Sequence, residues 1–269
     1  MENSVLSEAL PFAGRHALSP MKWADIYDLI SPTAFNANQL LDMREQFSRT
    51  GYVKLSGFLP SKALEIFKEE MDEMEQAAIR RQFQMPGYAT PRSLSVLGGN
   101  QIRSQSPLLY SLYHHYALRS CIESIVGRTI FTCTHPEEYM VANFLHNSGD
   151  THGWHLDDPA FALIIFADAP SEGGGGEIEY ISNWKDLCRR KGRKPDEDIQ
   201  DLVEWADKNG MVDRQSHRPG DAYLLRADHN LHRVTPLLRP GERRAAVNMA
   251  YQSAPDTLYG QTANLLYGY

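Results

Sequence analysis

The residues best suited to chemistry lie in the segment Thr151–Pro159, which reads Thr-His-Gly-Trp-His-Leu-Asp-Asp-Pro. Within it, one residue separates His155 from Asp157, and the apolar segment Phe161–Phe166 that follows is typical of a buried strand. Because alternate residues of an extended chain point to the same side, the imidazole and the carboxylate can face one point. They would supply two thirds of the 2-His-1-carboxylate arrangement that holds non-haem Fe(II). The triplet alone is a weak indication, so the interpretation depends on a third ligand.

Three histidines further along the chain are candidates for that third ligand: His217, His229 and His232. His217 precedes a Pro-Gly turn, and we expect it to lie at the surface. Of the other two, only His232 begins an extended Val-Thr-Pro segment that follows a strand and a turn. That position allows its strand to return beside that of His155. We therefore predict His232 as the third ligand and His229 as a loop residue.

A pair of arginines, Arg243 and Arg244, begins a segment that reads Arg-Arg-Ala-Ala-Val-Asn-Met-Ala-Tyr. Strand alternation gives one face with valine and methionine, suited to packing beneath helices, and one face with small residues and an amide, suited to a pocket. Arg244 shares the pocket face with Asn248. We predict that its guanidinium points inward, where it can bind a carboxylate through two hydrogen bonds. Taken alone, the pair would be interpreted as exposed residues of a solvated strand.

Composition and charge limit the classes of protein to be considered. The chain has 269 residues, 42% hydrophobic and 23% charged, which is ordinary for a globular protein with a sizeable core. Its net charge of −7 argues against a nucleic-acid-binding surface. Three scattered cysteines without CxxC spacing favour reduced thiols over disulfides or a thiolate zinc site. With no signal-peptide pattern and no apolar segment of membrane-spanning length, we expect a cytoplasmic protein that binds neither membranes nor nucleic acid.

Patterning along the chain predicts helices in the first half and mostly short strands in the second. We expect an arm over residues 1–35, a strand within 51–60, and a charged helical insertion over 184–209 that breaks near Gly192–Pro195. Ser61 should cap the second helix. The predicted helices are 36–49, 62–83 and 107–126. The predicted later strands are 129–134, 138–145, 160–167, 177–181, 220–226, 232–238 and 244–252. The sequence thus predicts one mainly β (α+β) domain over 1–269, with a helical layer on one face.

Taken in order, these motifs resemble the Fe(II)/2-oxoglutarate-dependent oxygenase superfamily. They are His155-x-Asp157, Gly220-Asp-Ala-Tyr-Leu-Leu, His232-Arg-Val-Thr-Pro and Gly241-Glu-Arg-Arg, and the segment 51–60 is similar to an early strand of the superfamily. The resemblance covers about residues 50–252. It implies a double-stranded β-helix (jelly-roll, cupin-like) core with N-terminal helices packed on the larger sheet. The 184–209 insertion accounts for the long spacing between the second and third ligands.

The same resemblance implies the cofactors and their ligands. His155, Asp157 and His232 would bind Fe(II), and 2-oxoglutarate would chelate the iron and pair its far carboxylate with Arg244. With O2 as the oxidant, the expected reaction is hydroxylation of an unactivated carbon, with release of succinate and CO2. In halogenases of the superfamily, a small residue at the position of Asp157 leaves room for a halide. Here the carboxylate fills that position, which favours hydroxylation.

A narrower resemblance follows from His152-Gly-Trp-His-Leu-Asp-Asp158 and the Gly-Gly-Glu-Ile-Glu-Tyr segment after it. The pattern is similar to a branch that hydroxylates or halogenates free, lysine-like amino acids. This implies that His152 and Arg92 hold the substrate carboxylate, that Glu138 and Asp158 receive the distal ammonium, and that Asn248 contacts the amino acid end. The chemistry agrees, because both charges of a buried dibasic amino acid need partners.

Several alternatives stay open at this point. Glu138 could be an exposed strand residue, Asp158 could cap the turn before Pro159, and His152 could form hydrogen bonds within the loop. The reaction could be a desaturation or a ring closure, and the substrate another small metabolite, as for phytanoyl-CoA-like oxygenases. A non-enzymatic cupin-like binding protein and a zinc hydrolase are further alternatives. The oligomeric state is open as well.

Two other features have a predicted place but no assigned chemistry. Trp154 lies between the two histidines of the opening segment, and we expect it to pack against an outer layer instead of facing the metal. The tail over 259–269 is expected either to close over the pocket through Tyr267 or Tyr269, or to fray.

Overall fold

The computed structural model describes residues 35–260 and 262–267, so the predicted arm over 1–35 lies almost entirely outside the described residues. The helices of the first half are Ala37–Thr50, Ser61–Glu75, Gly99–Gln105, Pro107–His114 and Tyr116–Val126. The later helices are Trp184–Lys191, Gln200–Lys208 and Thr262–Tyr267. None of these described helices is long and apolar enough to cross a membrane.

Twelve strands form one antiparallel sheet in the described part of the chain. In chain order they are β1 (Tyr52–Leu55), β2 (Ile79–Met85), β3 (Thr90–Leu97), β4 (Phe131–Thr132), β5 (Met140–Leu145), β6 (Thr151–His155), β7 (Phe161–Asp168), β8 (Ile178–Ile181), β9 (Val212–Gln215), β10 (Ala222–Leu225), β11 (Leu231–Val234) and β12 (Arg244–Gln252). Their order in space is β1-β10-β7-β12-β5-β3-β6-β11-β8-β9, with β2 paired to β3 and β4 paired to β12.

This order makes two halves joined at β3. One half is β1-β10-β7-β12-β5, and the other is β6-β11-β8-β9. From β5 onward, successive strands along the chain join the two halves alternately, except that β8 and β9 both join the second half. The sheet curls so that side chains of both halves share one interior, to which β7 contributes Ile164 and Phe166, and β8 contributes Tyr180. The predicted double-stranded β-helix with an added helical layer is therefore confirmed.

The helices of the first half cover the outer face of the half that contains β7. Alternation along β7 explains why this strand is apolar throughout. Leu163 and Ile165 pack beneath the helices, whereas Ile164 and Phe166 face the interior. The first helix begins with a capping box, in which the Asn36 side chain accepts the Gln39 backbone N–H and the Gln39 side chain accepts the Asn36 backbone N–H. This agrees with the predicted start of the helix at residue 36.

The predicted helix over 62–83 is wrong in its second half. The helix begins directly after Pro60, without a side-chain cap from Ser61, and ends at Glu75. The segment Ile79–Met85 is β2, a strand with alternating exposure that pairs with β3 along its whole length. Spacing typical of one helix continued into this segment by coincidence, and the long-range pairing with β3 determined its structure.

Two smaller predictions also needed correction, and one short strand was missed. The predicted helix 107–126 is two helices, because His115 is extended and its ring caps the second one. His217 is not a surface residue: it is 8% exposed, stacks on Phe166 and hydrogen-bonds the Tyr52 hydroxyl. The short strand β9 was not predicted, because its sequence, Val-Asp-Arg-Gln, is mostly polar.

Candidate metal centre and substrate pocket

Three side chains from two neighbouring strands converge at one end of the barrel interior. His155 ends β6, Asp157 follows two residues later, and His232 lies on β11 directly opposite His155. Asp157 Oδ1 lies 3.3 Å from His155 Nε2 and 3.6 Å from His232 Nε2. One potential ligand atom from each residue lies within 4.8 Å of the others. Both histidines are buried, at 7% and 6% exposure, so the cluster is shielded from bulk water.

Hydrogen bonds orient both imidazoles with Nε2 toward the cluster. His155 Nδ1 lies 2.8 Å from the Gly153 carbonyl, and His232 Nδ1 lies 3.0 Å from the Asn230 carbonyl. A carbonyl only accepts, so each Nδ1 carries the proton and each Nε2 keeps a lone pair. Burial, with His232 and Arg92 nearby, lowers the pKa of His155 to about 4, so this ring is neutral at pH 7.

The carboxylate completes the donor set. Burial raises the pKa of Asp157, but the nearby His232, His155 and Arg92 outweigh it, and the pKa lies below its usual value. Asp157 is therefore ionised at neutral pH. Two imidazole nitrogens and one carboxylate oxygen are the donors of a non-haem iron site, and the three residues fit that metal.

A β-bulge in β6 adds His152 to the same face. His155 pairs with His232, but His152 pairs with Val234, so two residues of β6, Gly153 and Trp154, oppose the single residue Arg233 of β11. The rings of His152 and His155 consequently lie 4.1 Å apart between centroids, although simple alternation would put them on opposite faces. Burial, with His155 and Arg92 nearby, lowers the pKa of His152 well below its usual value.

Arg92 lies directly opposite His152, because β3 pairs with β6 at that point. The side chain is 1% exposed and donates to the Gly153 carbonyl at 2.9 Å. Burial lowers the pKa of Arg92 to about 10, so the guanidinium is still charged at pH 7. No ion pair to Arg92 exists within the described residues. A buried cation without a partner is costly, and an anionic ligand would offset that cost.

Arg244 enters the pocket from β12, whereas Arg243 faces outward. Arg243 pairs with Asp72 at 2.6 Å and with Glu75 at 2.7 Å. Arg244 is 2% exposed, lies 4.8 Å from the centroid of the Phe166 ring, and interacts with the Tyr223 hydroxyl. Its alternation along β12 brings Asn248 into the same pocket, as the sequence predicted.

Polar atoms without partners point to a missing polar ligand. In the described part of the chain, the buried side-chain atoms that lack a hydrogen-bond partner include five in this pocket: Arg92 Nε and Nη2, His152 Nε2, Arg244 Nε and Asn248 Oδ1. Leaving such atoms unpaired costs about 1–3 kcal/mol each. One pocket, which also contains the His-Asp-His cluster, is lined by all four of these residues.

Two carboxylates lie at another part of the pocket. Glu138 precedes β5 and is not an exposed strand residue, and Asp158 follows the metal triplet. Burial, with Asp158 and Asp157 nearby, raises the pKa of Glu138 to about 8. Burial also raises the pKa of Asp158, although its Oδ2 accepts the Gly260 N–H at 2.7 Å. Neither carboxylate forms an ion pair within the described residues, just as neither Arg92 nor Arg244 does.

The tail reaches the pocket through its last helix. Leu266 and Tyr267 line the pocket, and both are buried. The backbone of the helix is held by Arg81, whose Nε donates to the Leu266 carbonyl at 2.7 Å. In this segment the tail covers the pocket and does not fray, while Tyr269 lies outside the described residues.

Sequence reasoning missed some residues of the pocket. Tyr223 was not selected, although a tyrosine in the otherwise aliphatic Ala-Tyr-Leu-Leu strand β10 was a usable signal. Tyr88 and Met85 lie near the site because of the β2–β3 hairpin, which was not predicted. His229 stays away from the cluster and contacts Asp228, as expected for a loop residue.

Solved structures with this architecture include the non-haem, α-ketoglutarate-dependent carbocyclase SnoK from nogalamycin biosynthesis, with a TM-score of 0.63, 14% identity, and coverage of 85% of this chain and 87% of SnoK. The epimerase SnoN, solved with Fe3+, α-ketoglutarate and nogalamycin RO, gives a TM-score of 0.59 and 14% identity, with coverage of 81% and 85%. EctD from S. alaskensis, solved with 2-oxoglutarate and 5-hydroxyectoine, gives a TM-score of 0.55 and 15% identity, with coverage of 81% and 76%.

At these identities the likeness establishes the fold, which is that of 2-oxoglutarate-dependent non-haem iron oxygenases. The family assignment comes from the sequence itself. The model of the family described as Halogenase D (HalD) matches residues 35–266, which is most of the chain, and the protein belongs to that family. A comparison with curated proteins found no match.

Proposed function

We propose that this protein is an Fe(II)/2-oxoglutarate-dependent dioxygenase that hydroxylates an unactivated carbon of a free, basic amino acid. The observation that carries the proposal is one pocket in which a His-Asp-His cluster lies among two buried arginines and two carboxylates, and none of these four charged side chains forms an ion pair within the described residues. The cluster suits a metal ion, one arginine suits the far carboxylate of a dicarboxylate, and the remaining charged side chains suit the charged ends of a dibasic amino acid.

His155, Asp157 and His232 are the residues that would hold Fe(II). Their Nε2 lone pairs and carboxylate oxygen already face one another, and Gly153 and Asn230 fix the ring orientations. When bound together, Fe(II) and 2-oxoglutarate supply O2-dependent oxidation of a C–H bond, with succinate and CO2 as co-products. The buried position of the two histidines excludes water from this chemistry.

Arg244 would receive the far carboxylate of 2-oxoglutarate. A guanidinium binds a carboxylate through two charge-assisted hydrogen bonds, and Arg244 has an unpartnered Nε in the pocket. Arg243 cannot take this role, because its side chain is engaged by Asp72 and Glu75 on the outer side of the sheet. The Tyr223 hydroxyl beside Arg244 helps to orient the guanidinium.

Arg92, His152 and Asn248 would bind the amino acid end of the substrate, and Glu138 and Asp158 would bind its distal ammonium. The raised pKa of Glu138 supports this assignment, because an arriving cation would replace the proton that burial favours. Tyr267 lies in the same pocket and would cover the aliphatic part of the substrate.

Charge balance supports a basic substrate. Iron(II) with Asp157 and the 2-oxoglutarate dianion leave one net negative charge, and Arg92 with Arg244 offset Glu138 and Asp158. A substrate with one net positive charge therefore makes the filled pocket neutral. With a neutral amino acid the pocket is neutral only if Glu138 keeps its proton, so the preference for a basic substrate depends on the substrate ammonium replacing that proton.

Asp157 supports hydroxylation over halogenation, although the family takes its name from halogenases. The carboxylate fills the position that a halide would need. The solved structures with this fold include an epimerase and a carbocyclase, so the fold alone does not determine the outcome of C–H oxidation. Hydroxylation is the outcome that an intact carboxylate ligand favours here.

The proposal is tested by succinate release from 2-oxoglutarate under Fe(II) and O2, measured with a panel of free amino acids. We expect lysine-like amino acids to stimulate release strongly and neutral amino acids of equal length to do so weakly. Glu138→Gln and Asp158→Asn should reduce this preference. No stimulation by any amino acid would contradict the substrate assignment, and no iron-dependent succinate at all would contradict the enzyme class.

A further inference from the structure

The helical insertion packs directly behind the metal ligands. Its apolar core contains Trp184, and the same cluster contains Trp154 and Leu231, each next to a histidine of the site. Leu156, the residue between His155 and Asp157, is partly buried against this cluster. The insertion is therefore in contact with β6, with β11 and with Leu156, which also lines the pocket.

The backbone between the two ligands of the triplet is held by two hydrogen bonds. Asp157 N–H donates to the Ala227 carbonyl at 3.0 Å. Leu156 N–H donates to the hydroxyl oxygen of Tyr88 at 3.3 Å, and β6 has already ended at His155. A side chain from a distant hairpin thus replaces the strand partner that Leu156 would otherwise have.

The insertion in turn fixes the hairpin turn that carries Tyr88. The Tyr88 ring is partly buried against the insertion core. At Gly87, an added Cβ would lie 2.6 Å from the Asp196 carbonyl oxygen, so the turn and the insertion loop are in close backbone contact. That loop is anchored at Pro195, whose carbonyl accepts the Trp184 indole N–H at 2.8 Å.

We infer that Tyr88 is a positioning residue for the metal centre, and that the insertion acts on the ligands through it. The inference rests on the proposed iron site. Tyr88 does not line the pocket, so its effect passes through the Leu156 backbone to Asp157 and His155. Groups that orient metal ligands in this way typically change metal affinity by 10- to 100-fold when removed.

Tyr88→Phe tests the inference, because it removes one oxygen and keeps the ring that packs on the insertion. Metal-free protein is titrated with Co(II) without O2, and the ligand-field absorption of the bound Co(II) is recorded. We expect the Co(II) dissociation constant to rise about tenfold and the absorption bands to shift. Tyr110→Phe is the matched control, since Tyr110 packs against His114 and Tyr139 and does not line the pocket.

Trp184→Phe is a second variant that keeps an aromatic ring and removes the bond to Pro195. It should change the Co(II) spectrum in the same direction by a smaller amount. Unfolding midpoints of the metal-free proteins show whether each variant is folded.

The outcomes separate the inference from the proposed function on which it rests. If the wild type binds Co(II) in competition with Fe(II), and Tyr88→Phe and Trp184→Phe bind it with wild-type affinity and spectrum, the positioning role is refuted while the iron site stands. If the wild type itself binds neither metal, the iron site is refuted, and the inference with it.

Discussion

His152 and His155 lie on the same face of β6, with their ring centroids 4.1 Å apart, although only two residues, Gly153 and Trp154, separate them in the chain. The bulge in β6 causes this arrangement, and Gly153 lies within it. One short strand therefore carries both a proposed metal ligand and a proposed substrate contact. The two functions are coupled because any change in the bulge moves both rings.

Gly153→Ala should disturb this arrangement. An added Cβ would lie 2.7 Å from the Pro91 carbonyl oxygen and 2.8 Å from Thr90 Cβ, both on the neighbouring strand. Overpacking of this kind typically costs about 1–3 kcal/mol of stability. We expect urea unfolding to show that loss, together with weaker metal binding in a Co(II) titration. A variant with wild-type stability and wild-type metal affinity would show that the bulge tolerates a side chain.

The sequence predicted the residues of β12 better than those of β6, for a physical reason. Arg244 and Asn248 follow simple alternation in a regular strand, so period-two reasoning put them on the pocket face. His152 reaches the same pocket only through a register shift between β6 and β11, which no local pattern encodes. Its assignment before the structure came from family resemblance alone.

Arg244→Met should weaken the binding of 2-oxoglutarate, whereas Arg243→Met on the adjacent residue should not. Loss of charged hydrogen bonds worth about 1.5–3 kcal/mol corresponds to about a 10- to 100-fold rise in the dissociation constant. Calorimetric titration of the metal-loaded protein without O2 measures it. Because a buried guanidinium without an anion is costly, the metal-free Arg244→Met protein should be at least as stable as the wild type. Equal binding by both variants would contradict the assignment.

Glu138 should make the stability of the metal-free protein depend on pH. Burial and the nearby Asp158 and Asp157 raise its pKa from 4.5 to about 8, so between these values the folded protein binds a proton that the unfolded chain releases. The contribution of Glu138 to stability is fully present below about pH 4.5 and is lost as the pH rises through 8. The glutamine of Glu138→Gln does not titrate, so the variant does not lose stability in this way as the pH rises. The free energy of unfolding of the variant minus that of the wild type should therefore increase from pH 5 to pH 8. Denaturant unfolding across that range measures the difference, and a constant difference would contradict the burial of this carboxyl.

Tertiary contacts explain most of what the sequence did not predict. The end of the second helix at Glu75 and the strand β2 depend on pairing with β3, and the burial of His217 depends on Phe166 and Tyr52. In contrast, His232 was predicted correctly to lie beside His155, because a strand-turn-strand pattern limits where the chain can return. Local patterns located the proposed ligands, and long-range pairing determined their surroundings.

The proposed role of Asp157 is tested most directly by the products that the wild type and Asp157→Gly form in chloride buffer. With Fe(II), 2-oxoglutarate, O2 and a lysine-like amino acid, we expect the wild-type product to gain one oxygen atom for each succinate released. We expect Asp157→Gly to lose this hydroxylation, because the carboxylate ligand is absent. A chlorinated product from the wild type, or hydroxylation by Asp157→Gly at the wild-type rate, would contradict the proposed role of Asp157.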